Sequence, residues 1–324
     1  MTVDELVELV RSSIDLKEPD QDVAAYLALV SPSERLDDPT IEDLRAAGGG
    51  PKTIDRLRTL RRRSQSLPAP PQAVSPSLPA PPSVAEQGEA VESVRQYALN
   101  YTASLPDFLC TQVTRRYVRG GLFWGGLADT LTAHVAFTGQ KEEYKVVSRN
   151  GRPASNWSLM WADGATSEGE FGSMMAELFK PSTEVSFHWE RWATLRGRRA
   201  HVYSFRVAQK RSRWRIQDAR FRLHVVAGYH GLILVDSGLP AVLRIVEVAE
   251  LPATFPMQSV EETLDYDLAG VGGRQYLLPL RAVVMLREGI VNRTGVMNVI
   301  EFGGYRKFAA ESSVSFDDPA PPAN

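Results

Sequence analysis

Residues 130–137 have the sequence TLTAHVAF, in which Leu131, Ala133, Val135 and Phe137 alternate with more polar positions. A period of two is typical of a β-strand with one buried face. Comparable runs lie around residues 185–190, 201–207, 260–268 and 280–286. Connections as short as Gly139-Gln140 separate several of these runs, which favours an antiparallel meander over units in which helices join parallel strands.

About ten such runs follow one another, more than a flat open sheet readily carries, so the sequence predicts strong curvature. Residues 84–104 come before the strands and have apolar positions at helical spacing, which predicts a leading helix. A second helix is predicted at residues 170–179, inside the meander. Its apolar residues recur three and four positions apart and must be buried on the sheet; they are Phe171, Met174, Met175, Leu178 and Phe179. The predicted fold class is α+β, a curved antiparallel half-barrel with a leading helix and an inserted amphipathic helix.

The first 66 residues predict a small all-α domain of four short helices, beginning with a capping box formed by Thr2 and Glu5. Residues 67–83 contain seven prolines and no charged side chain. Proline fixes φ and removes an amide donor, so this segment is predicted to be an extended polyproline-II linker. The expected domains are residues 1–66, the linker 67–83, the half-barrel 84–316 and a disordered tail 317–324.

The composition excludes several classes of protein. The chain has 324 residues and a formal net charge of −2, which argues against a dedicated nucleic-acid binder or polybasic membrane binder. Cys110 is the only cysteine, so an internal disulfide is excluded. No run approaches the ~18 apolar residues of a membrane span. The first residues lack the basic and apolar regions of a signal peptide, which taken literally predicts a cytoplasmic location.

The sequence lacks the motifs of the common catalytic and metal sites. The five histidines occur singly, without the HxH or HxxxH spacing that places two imidazoles on one metal. A G-x-S-x-G nucleophile elbow, a Walker A loop and a Rossmann fingerprint are all missing. We therefore predict a protein that is not an enzyme and that uses no cofactor and no metal.

Residues 40–57 resemble a helix-hairpin-helix element, whose hairpin presents backbone amides to a DNA phosphate. The resemblance assigns this role to the hairpin and to the start of the second helix, at Gly48, Gly50, Lys52, Thr53 and Arg56. Gly49 stands where that family usually has an apolar residue. Residues 1–66 carry thirteen acidic and ten basic side chains, so a duplex would meet net repulsion outside the second helix. Nucleic acid is therefore an unfavoured alternative partner.

Residues 84–316 resemble an uncharacterised family abundant in acidobacterial genomes. The matching stretches are LNYTASLPDFLC at 99–110, FTGQKEEY at 137–144, EGEFGSM at 168–174, WERWATLRG at 189–197 and YRKF at 305–308. Members of that family often begin with a secretion signal, so the resemblance implies the cell envelope or periplasm. More distantly, the order of elements and the segment GLILVDSGLP at 231–240 are similar to lipoprotein carriers of the LolA/LolB type. Those carriers hold acyl chains in a half-barrel under a helical lid.

The leading hypothesis is a non-enzymatic envelope protein that binds a lipid, a lipoprotein acyl chain or another apolar ligand in the half-barrel. The expected cavity or lid residues are Phe171, Met174, Met175, Leu178 and Trp189. The alternative is a two-module interaction scaffold, in which the helical domain binds a protein partner and the linker sets its reach. Nucleic-acid binding through the N-terminal hairpin is the second alternative.

Overall fold

One antiparallel sheet organises the chain. The computed structural model describes residues 1–71, 80–120, 123–154, 171–218, 223–288 and 294–308. The strands are β1 Phe108–Gly120, β2 Phe123–Thr138, β3 Lys141–Arg149, β4 Arg152–Pro153, β5 Ser186–Leu195, β6 Arg198–Val207, β7 Arg215–Asp218, β8 Leu223–Val226, β9 Gly228–Asp236, β10 Val242–Glu250, β11 Met257–Val271, β12 Arg274–Glu288 and β13 Thr294–Lys307. Eleven of them form a curved, open sheet in the order β4-β3-β2-β1-β13-β12-β11-β10-β9-β6-β5. The remaining two, β7 and β8, form a separate hairpin.

The predicted antiparallel meander of about ten strands is confirmed, with eleven strands in the main sheet. Every neighbouring pair of strands in the sheet is antiparallel. The first strand of the meander pairs with the last, since β1 lies between β2 and β13. This pairing brings residues from the start and the end of the strand-rich region together in the centre of the sheet.

The helices lie on the two faces of the sheet. They are α1 Val3–Asp15, α2 Asp20–Leu27, α3 Asp38–Ala46, α4 Pro51–Arg63, α5 Val84–Ser104 and α6 Ser173–Phe179. The leading helix α5 has the predicted bounds, and Ser83 with Glu86 forms a capping box at its start. The inserted helix begins at Ser173 and not at 170, because Gly172 has φ +120°, a value outside the helical region.

The inner face of the sheet, which α5 and α6 cover, is apolar across its centre. One cross-strand row on this face runs through seven strands in register; its members are Ile233, Ile245, Leu264, Ala282, Ile300, Thr114 and Leu131. All seven side chains are buried. The five members of this row on β9–β13 belong with the apolar sides of α5 and α6 to one hydrophobic cluster that forms the main core.

The outer face is covered by α1–α4. These helices have an apolar core of their own, which includes Leu6, Val10 and Leu57, and the same cluster extends to Val283 and Val299 of the sheet. Ion pairs surround this contact, among them Arg191 of β5 with Glu8 of α1. The helical segment therefore packs directly against the sheet.

The described parts of the proline-rich linker contact the body of the protein at both ends. The carbonyl oxygen of Pro68 accepts a hydrogen bond from the amide of Arg35 at 2.7 Å. The carbonyl oxygen of Ala80 accepts one from the indole nitrogen of Trp192 at 3.2 Å. Residues 72–79 of the linker and the predicted tail 317–324 lie outside the described residues.

Candidate functional site

The site begins with Phe171, which precedes α6 and is fully buried on the inner face. Its ring lies 5.4 Å from that of Phe108 on β1, 6.4 Å from that of Phe137 on β2 and 5.4 Å from that of Phe302 on β13. Aromatic rings at these separations attract one another beyond the burial of their surface. Phe171 therefore anchors the start of the inserted helix over three central strands.

The body of α6 continues this apolar contact. Met175 and Leu178 have no exposed surface, Phe179 is buried and stacks on Phe187 of β5 at 5.2 Å, and Met174 is partly buried against the same cluster. The structure therefore brings together four of the five predicted ligand-site residues. In this state their side chains occupy the hollow of the sheet themselves.

Trp189, the fifth predicted residue, lies on β5 towards the edge of the sheet. It is partly buried against the inner-face cluster. Its ring is 6.0 Å from that of Trp192, and its indole nitrogen donates a hydrogen bond to Nδ1 of His201 at 3.3 Å.

Polar contacts hold α6 mainly at its ends. Nη1 of Arg95 on α5 donates to the carbonyl oxygen of Phe179 at 3.1 Å. Nε of Arg213, an exposed residue, lies 3.5 Å from a carboxylate oxygen of Glu177. At the start of the helix, a β-carbon on Gly172 would lie 2.4 Å from the ring of Tyr101, so only glycine fits there. Side-chain packing thus provides most of the contact between α6 and the sheet.

Helix α5 is fixed more firmly than α6. The hydroxyl of Tyr101 donates to the carbonyl oxygen of Leu277 on β12 at 2.6 Å, in a fully buried position. The hydroxyl of Tyr203 on β6 donates to the carbonyl oxygen of Gln87 at 3.2 Å. Burial raises the pKa of Tyr203 to about 12, which keeps this donor protonated over the physiological range. Among the described residues, no buried side-chain hydrogen bond of this kind joins α6 to the sheet, so packing holds α6 there.

A polar row borders the apolar centre of the inner face, and the sequence analysis did not find it. Glu247 of β10 pairs in register with Glu262 of β11. Asn298 of β13 pairs with Arg116 of β1, which forms an ion pair with Asp129 of β2. These five side chains are all buried. They are far apart in sequence, and only the strand register brings them into one row.

Charge compensation differs between the two ends of this row. The hydrogen bonds from Arg116 lower the pKa of Asp129, so that end is an ion pair. Burial raises the pKa of Glu247 well above its ordinary value, and the neighbouring Glu262 raises it further. The Glu247 carboxyl group therefore holds its proton to a higher pH than an exposed glutamic acid does.

A small cavity lies on the outer face, between the N-terminal helices and the sheet. Its volume of about 40 Å³ is enough for two or three water molecules and not for a lipid chain. Its walls come from α1, α2, the turn between them and strands β10–β12. Buried carboxyl and guanidinium groups line it together with Val23 and Met285.

The residues of the predicted nucleic-acid hairpin lie at the junction of α3 and α4. Gly48 has φ +106° in the turn, and Gly50 is the residue before α4. The amides of Lys52 and Thr53 both donate to the carboxylate of Asp20 at 2.9 Å. In this structure an internal carboxylate occupies the place where a phosphate would bind at the start of α4. Arg56 is partly exposed on α4.

Three further features bear on the chemistry of the chain. Cys110 is buried on the inner face, and burial raises the pKa of its thiol to about 12, so it is a poor nucleophile at neutral pH. Within the described ranges, no three His, Cys, Asp or Glu side chains are grouped so as to hold a metal ion. None of the described helices is both long enough and apolar enough to cross a bilayer.

Comparison with known proteins gives remote structural similarities. No family model matches the chain, and no curated protein sequence matches it. A LolA superfamily protein from Nitrosomonas europaea is 10% identical over 67% of this chain and 93% of its own, with a TM-score of 0.34. A DUF1329 family protein from Desulfovibrio piger is 13% identical over 69% of this chain and 95% of its own, also with a TM-score of 0.34. Neither assigns a ligand or a partner to this chain.

Proposed function

We propose that this is a non-enzymatic protein of the cell envelope that binds a lipid or another apolar ligand between the inner face of the sheet and α6. The observation that supports this proposal is the seven-residue helix α6, which lies on an apolar sheet surface through Phe171, Met175 and Leu178. An acyl chain offers the inner face the same kind of contact that these side chains offer. Ligand binding is then an exchange in which α6 moves away and the chain takes its place.

The energetics of this exchange depend on the closed state. Burial of apolar surface contributes about 25 cal/mol per Å², whether the covering group is a side chain or a ligand. The ligand binds only those molecules in which α6 has moved away from the sheet. The apparent affinity is therefore the intrinsic affinity multiplied by the fraction of open molecules. Any change that weakens the packing of α6 without altering the sheet should therefore tighten ligand binding.

The experiment titrates the full-length protein with a fluorescent fatty acid and compares two leucine variants. Leu178→Ala removes a fully buried side chain from α6, and Leu234→Ala removes one from the outer face of β9. Both should destabilise the protein by about 2–5 kcal/mol, since both delete a core leucine. We expect Leu178→Ala to bind the probe at least tenfold more tightly than the wild-type protein, and Leu234→Ala to bind it as the wild-type protein does.

Two outcomes would count against the proposal. The wild-type protein and Leu178→Ala could both fail to bind fatty acids, lysophospholipids and acylated peptides. That result would exclude the proposed class of ligand. Equal gains in the two variants would show that the probe binds a loosened protein and not a site under α6. Native mass spectrometry of the full-length protein isolated from its own cells is an independent check, because a ligand bound in the cell adds a discrete mass.

The envelope location is supported by the sequence resemblance of residues 84–316 to a family whose members often carry a secretion signal. The test is fractionation of the source cells followed by detection with an antibody against the sheet region. Recovery with periplasmic markers is the expected result. Recovery only with cytoplasmic markers would contradict the envelope location but not the binding of an apolar ligand.

A further inference from the structure

Three carboxyl groups and one guanidinium group meet where the N-terminal helices dock on the outer face. Glu18 lies in the turn before α2, Asp22 lies on α2, Glu261 lies on β11 and Arg287 lies on β12. We propose that the docking of α1–α4 on the sheet is linked to one proton held between Glu18 and Glu261. The helices then dock most tightly in acid and loosen as the pH rises.

The first support is the hydrogen bonding within this group. Glu18 and Glu261 both line the cavity, and their carboxyl groups lie within hydrogen-bonding reach of each other. Two carboxylates offer only acceptors, so a hydrogen bond between them requires that one of the two groups carries a proton. Glu261 is only 4% exposed, and its Oε2 has no hydrogen-bond partner among the described residues. The pair spans the interface, because Glu18 belongs to the helical segment and Glu261 belongs to the sheet.

The second support is that the nearby cation is already engaged. Arg287 donates from Nη1 to Asp22 and from Nε to the hydroxyl of Ser259. With all three carboxyl groups ionised, one guanidinium would face three negative charges in a position shielded from water. The adjoining cavity of about 40 Å³ admits a few water molecules at most. Repulsion between two such carboxylates is strong because the local dielectric constant is low.

The third support is that the other charged groups at the interface are paired among themselves. The groups near the cavity come from every element around it. Glu8 and Asp15 of α1 pair with Arg191 of β5, and Arg244 of β10 pairs with Asp265 of β11. Arg281 of β12 donates a hydrogen bond to the hydroxyl of Tyr26 on α2. The hydroxyl of Ser13 on α1 also hydrogen-bonds to Glu18. Each of these groups faces an opposite charge or a hydrogen-bond partner, whereas Glu18 and Glu261 are two groups of like charge that face each other.

The direction of the pH effect follows from the pKa values. Burial raises the pKa of Glu18 above its usual 4.5, and burial together with the adjacent Glu18 raises that of Glu261 well above it. In the undocked state both groups face water and return towards the ordinary value. The stabilisation of the docked state is therefore complete below about pH 4.5. The equilibrium constant for docking then falls by up to about tenfold per pH unit as the pH rises, until the raised pKa is passed.

The test uses two thiols in one full-length protein. Val283→Cys is a near-isosteric change on β12 beneath the N-terminal helices, where Val283 is 6% exposed and lines the cavity. Cys110 lies on the inner face and reports opening of that side or of the whole protein. Both thiols are labelled with methyl methanethiosulfonate between pH 5 and 8. Each rate is divided by that of the same thiol in urea at the same pH, which removes the titration of the thiol itself.

We expect the normalised labelling of the new thiol to rise at least tenfold between pH 5 and 8 while that of Cys110 stays constant. Glu261→Gln replaces the shared proton by an amide donor, so labelling of the new thiol in this variant should stay at its acid value at every pH. Glu18→Gln should behave in the same way, and Glu301→Gln, which changes an exposed carboxyl on β13 outside this contact, should follow the wild-type protein.

Labelling that is independent of pH in the parent would overturn the proposal, as would an unchanged slope in Glu261→Gln. A parallel rise at Cys110 would show that the pH effect is not confined to the docking contact and would overturn the proposal equally.

Discussion

Arg191 of β5 forms a bidentate ion pair with Glu8 of α1, although the two residues are 183 positions apart. Its Nη1 and Nη2 donate to the two oxygens of Glu8 at 2.8 and 2.9 Å, and its Nε donates to Asp15 at 2.9 Å. Glu8 is 2% exposed and also accepts a hydrogen bond from Ser12. A carboxylate buried to this degree needs its cation, so this pair fixes the position of α1 on the sheet.

Replacement of Arg191 by methionine should therefore destabilise the protein by about 2–4 kcal/mol, because it leaves Glu8 buried without its counter-charge. The double change Arg191→Met with Glu8→Gln should recover about half of this loss. Urea denaturation at pH 7 measures both. Arg115→Met is the matched control, since its partner Glu301 is half exposed, and it should cost less than about 1 kcal/mol. Equal losses for the two arginine variants would contradict the structural role of the Arg191–Glu8 pair.

Asp20 should act as the N-terminal cap of α4 from a distance of more than 30 residues. Asp20→Ala removes the acceptor of the Lys52 and Thr53 amides and should cost about 1 kcal/mol. Partial burial opposes ionisation, but the hydrogen bonds from Thr53 and Lys52 outweigh it and lower the pKa of Asp20. The cap thus contributes above the unfolded pKa of about 3.8, and its contribution is lost as the pH falls through the lower folded value.

The measurement for Asp20 compares urea unfolding of Asp20→Ala and wild-type protein at pH 7 and at pH 2. The difference between them should shrink at pH 2, because this pH lies below the unfolded pKa of about 3.8 and part of the contribution of the carboxylate is lost there. Asp55→Ala is the control, because Asp55 is exposed on the same helix and pairs only with Arg58 three residues away. A difference that is the same at both pH values would show that the charge of Asp20 does not contribute.

The fold could be predicted from the sequence to the extent that it rests on local periodicity. The alternation in residues 130–137 predicted β2, and the spacing of Phe171, Met175 and Leu178 predicted that α6 buries one side on the sheet. The predicted start of α6 was three residues too early, because Gly172 has a positive φ and packs against the ring of Tyr101, and the spacing of apolar residues reveals neither feature.

The polar parts of the site could not be predicted, because they depend on register. Glu247 and Glu262 are fifteen positions apart, and nothing in either strand shows that they pair. Asp20 reaches α4 across the helical segment, and Arg191 reaches α1 across most of the chain. The available signal was a charged residue within an apolar strand, such as Glu247 in the run 242–249. Such a residue must be buried, but its partner is known only once the strands are paired.

Gly172 should be the residue that tolerates substitution least at the start of α6. A side chain there would adopt a positive φ, at a cost of about 1–3 kcal/mol, and would also meet the ring of Tyr101. Gly273→Ala is the control, since Gly273 also has a positive φ but no atom within 4 Å of the added carbon. Urea unfolding should show a larger loss for Gly172→Ala than for Gly273→Ala. Equal losses would mean that the positive φ alone accounts for the loss of stability and that the close approach of Tyr101 has no effect.

Cys110 should report the opening of α6 in solution. Its thiol is buried on β1, two residues from Phe108, whose ring packs against Phe171. Burial raises the pKa of this thiol to about 12, so reaction with a disulfide reagent at pH 8 requires exposure to water first. Leu178→Ala weakens the packing of α6 and should accelerate labelling at least tenfold, since each 1.4 kcal/mol changes an equilibrium tenfold. Leu234→Ala, on the outer face, should accelerate it much less at equal loss of stability. If both variants label at the same rate, Cys110 becomes exposed only when the whole protein unfolds, and α6 does not open as a separate unit.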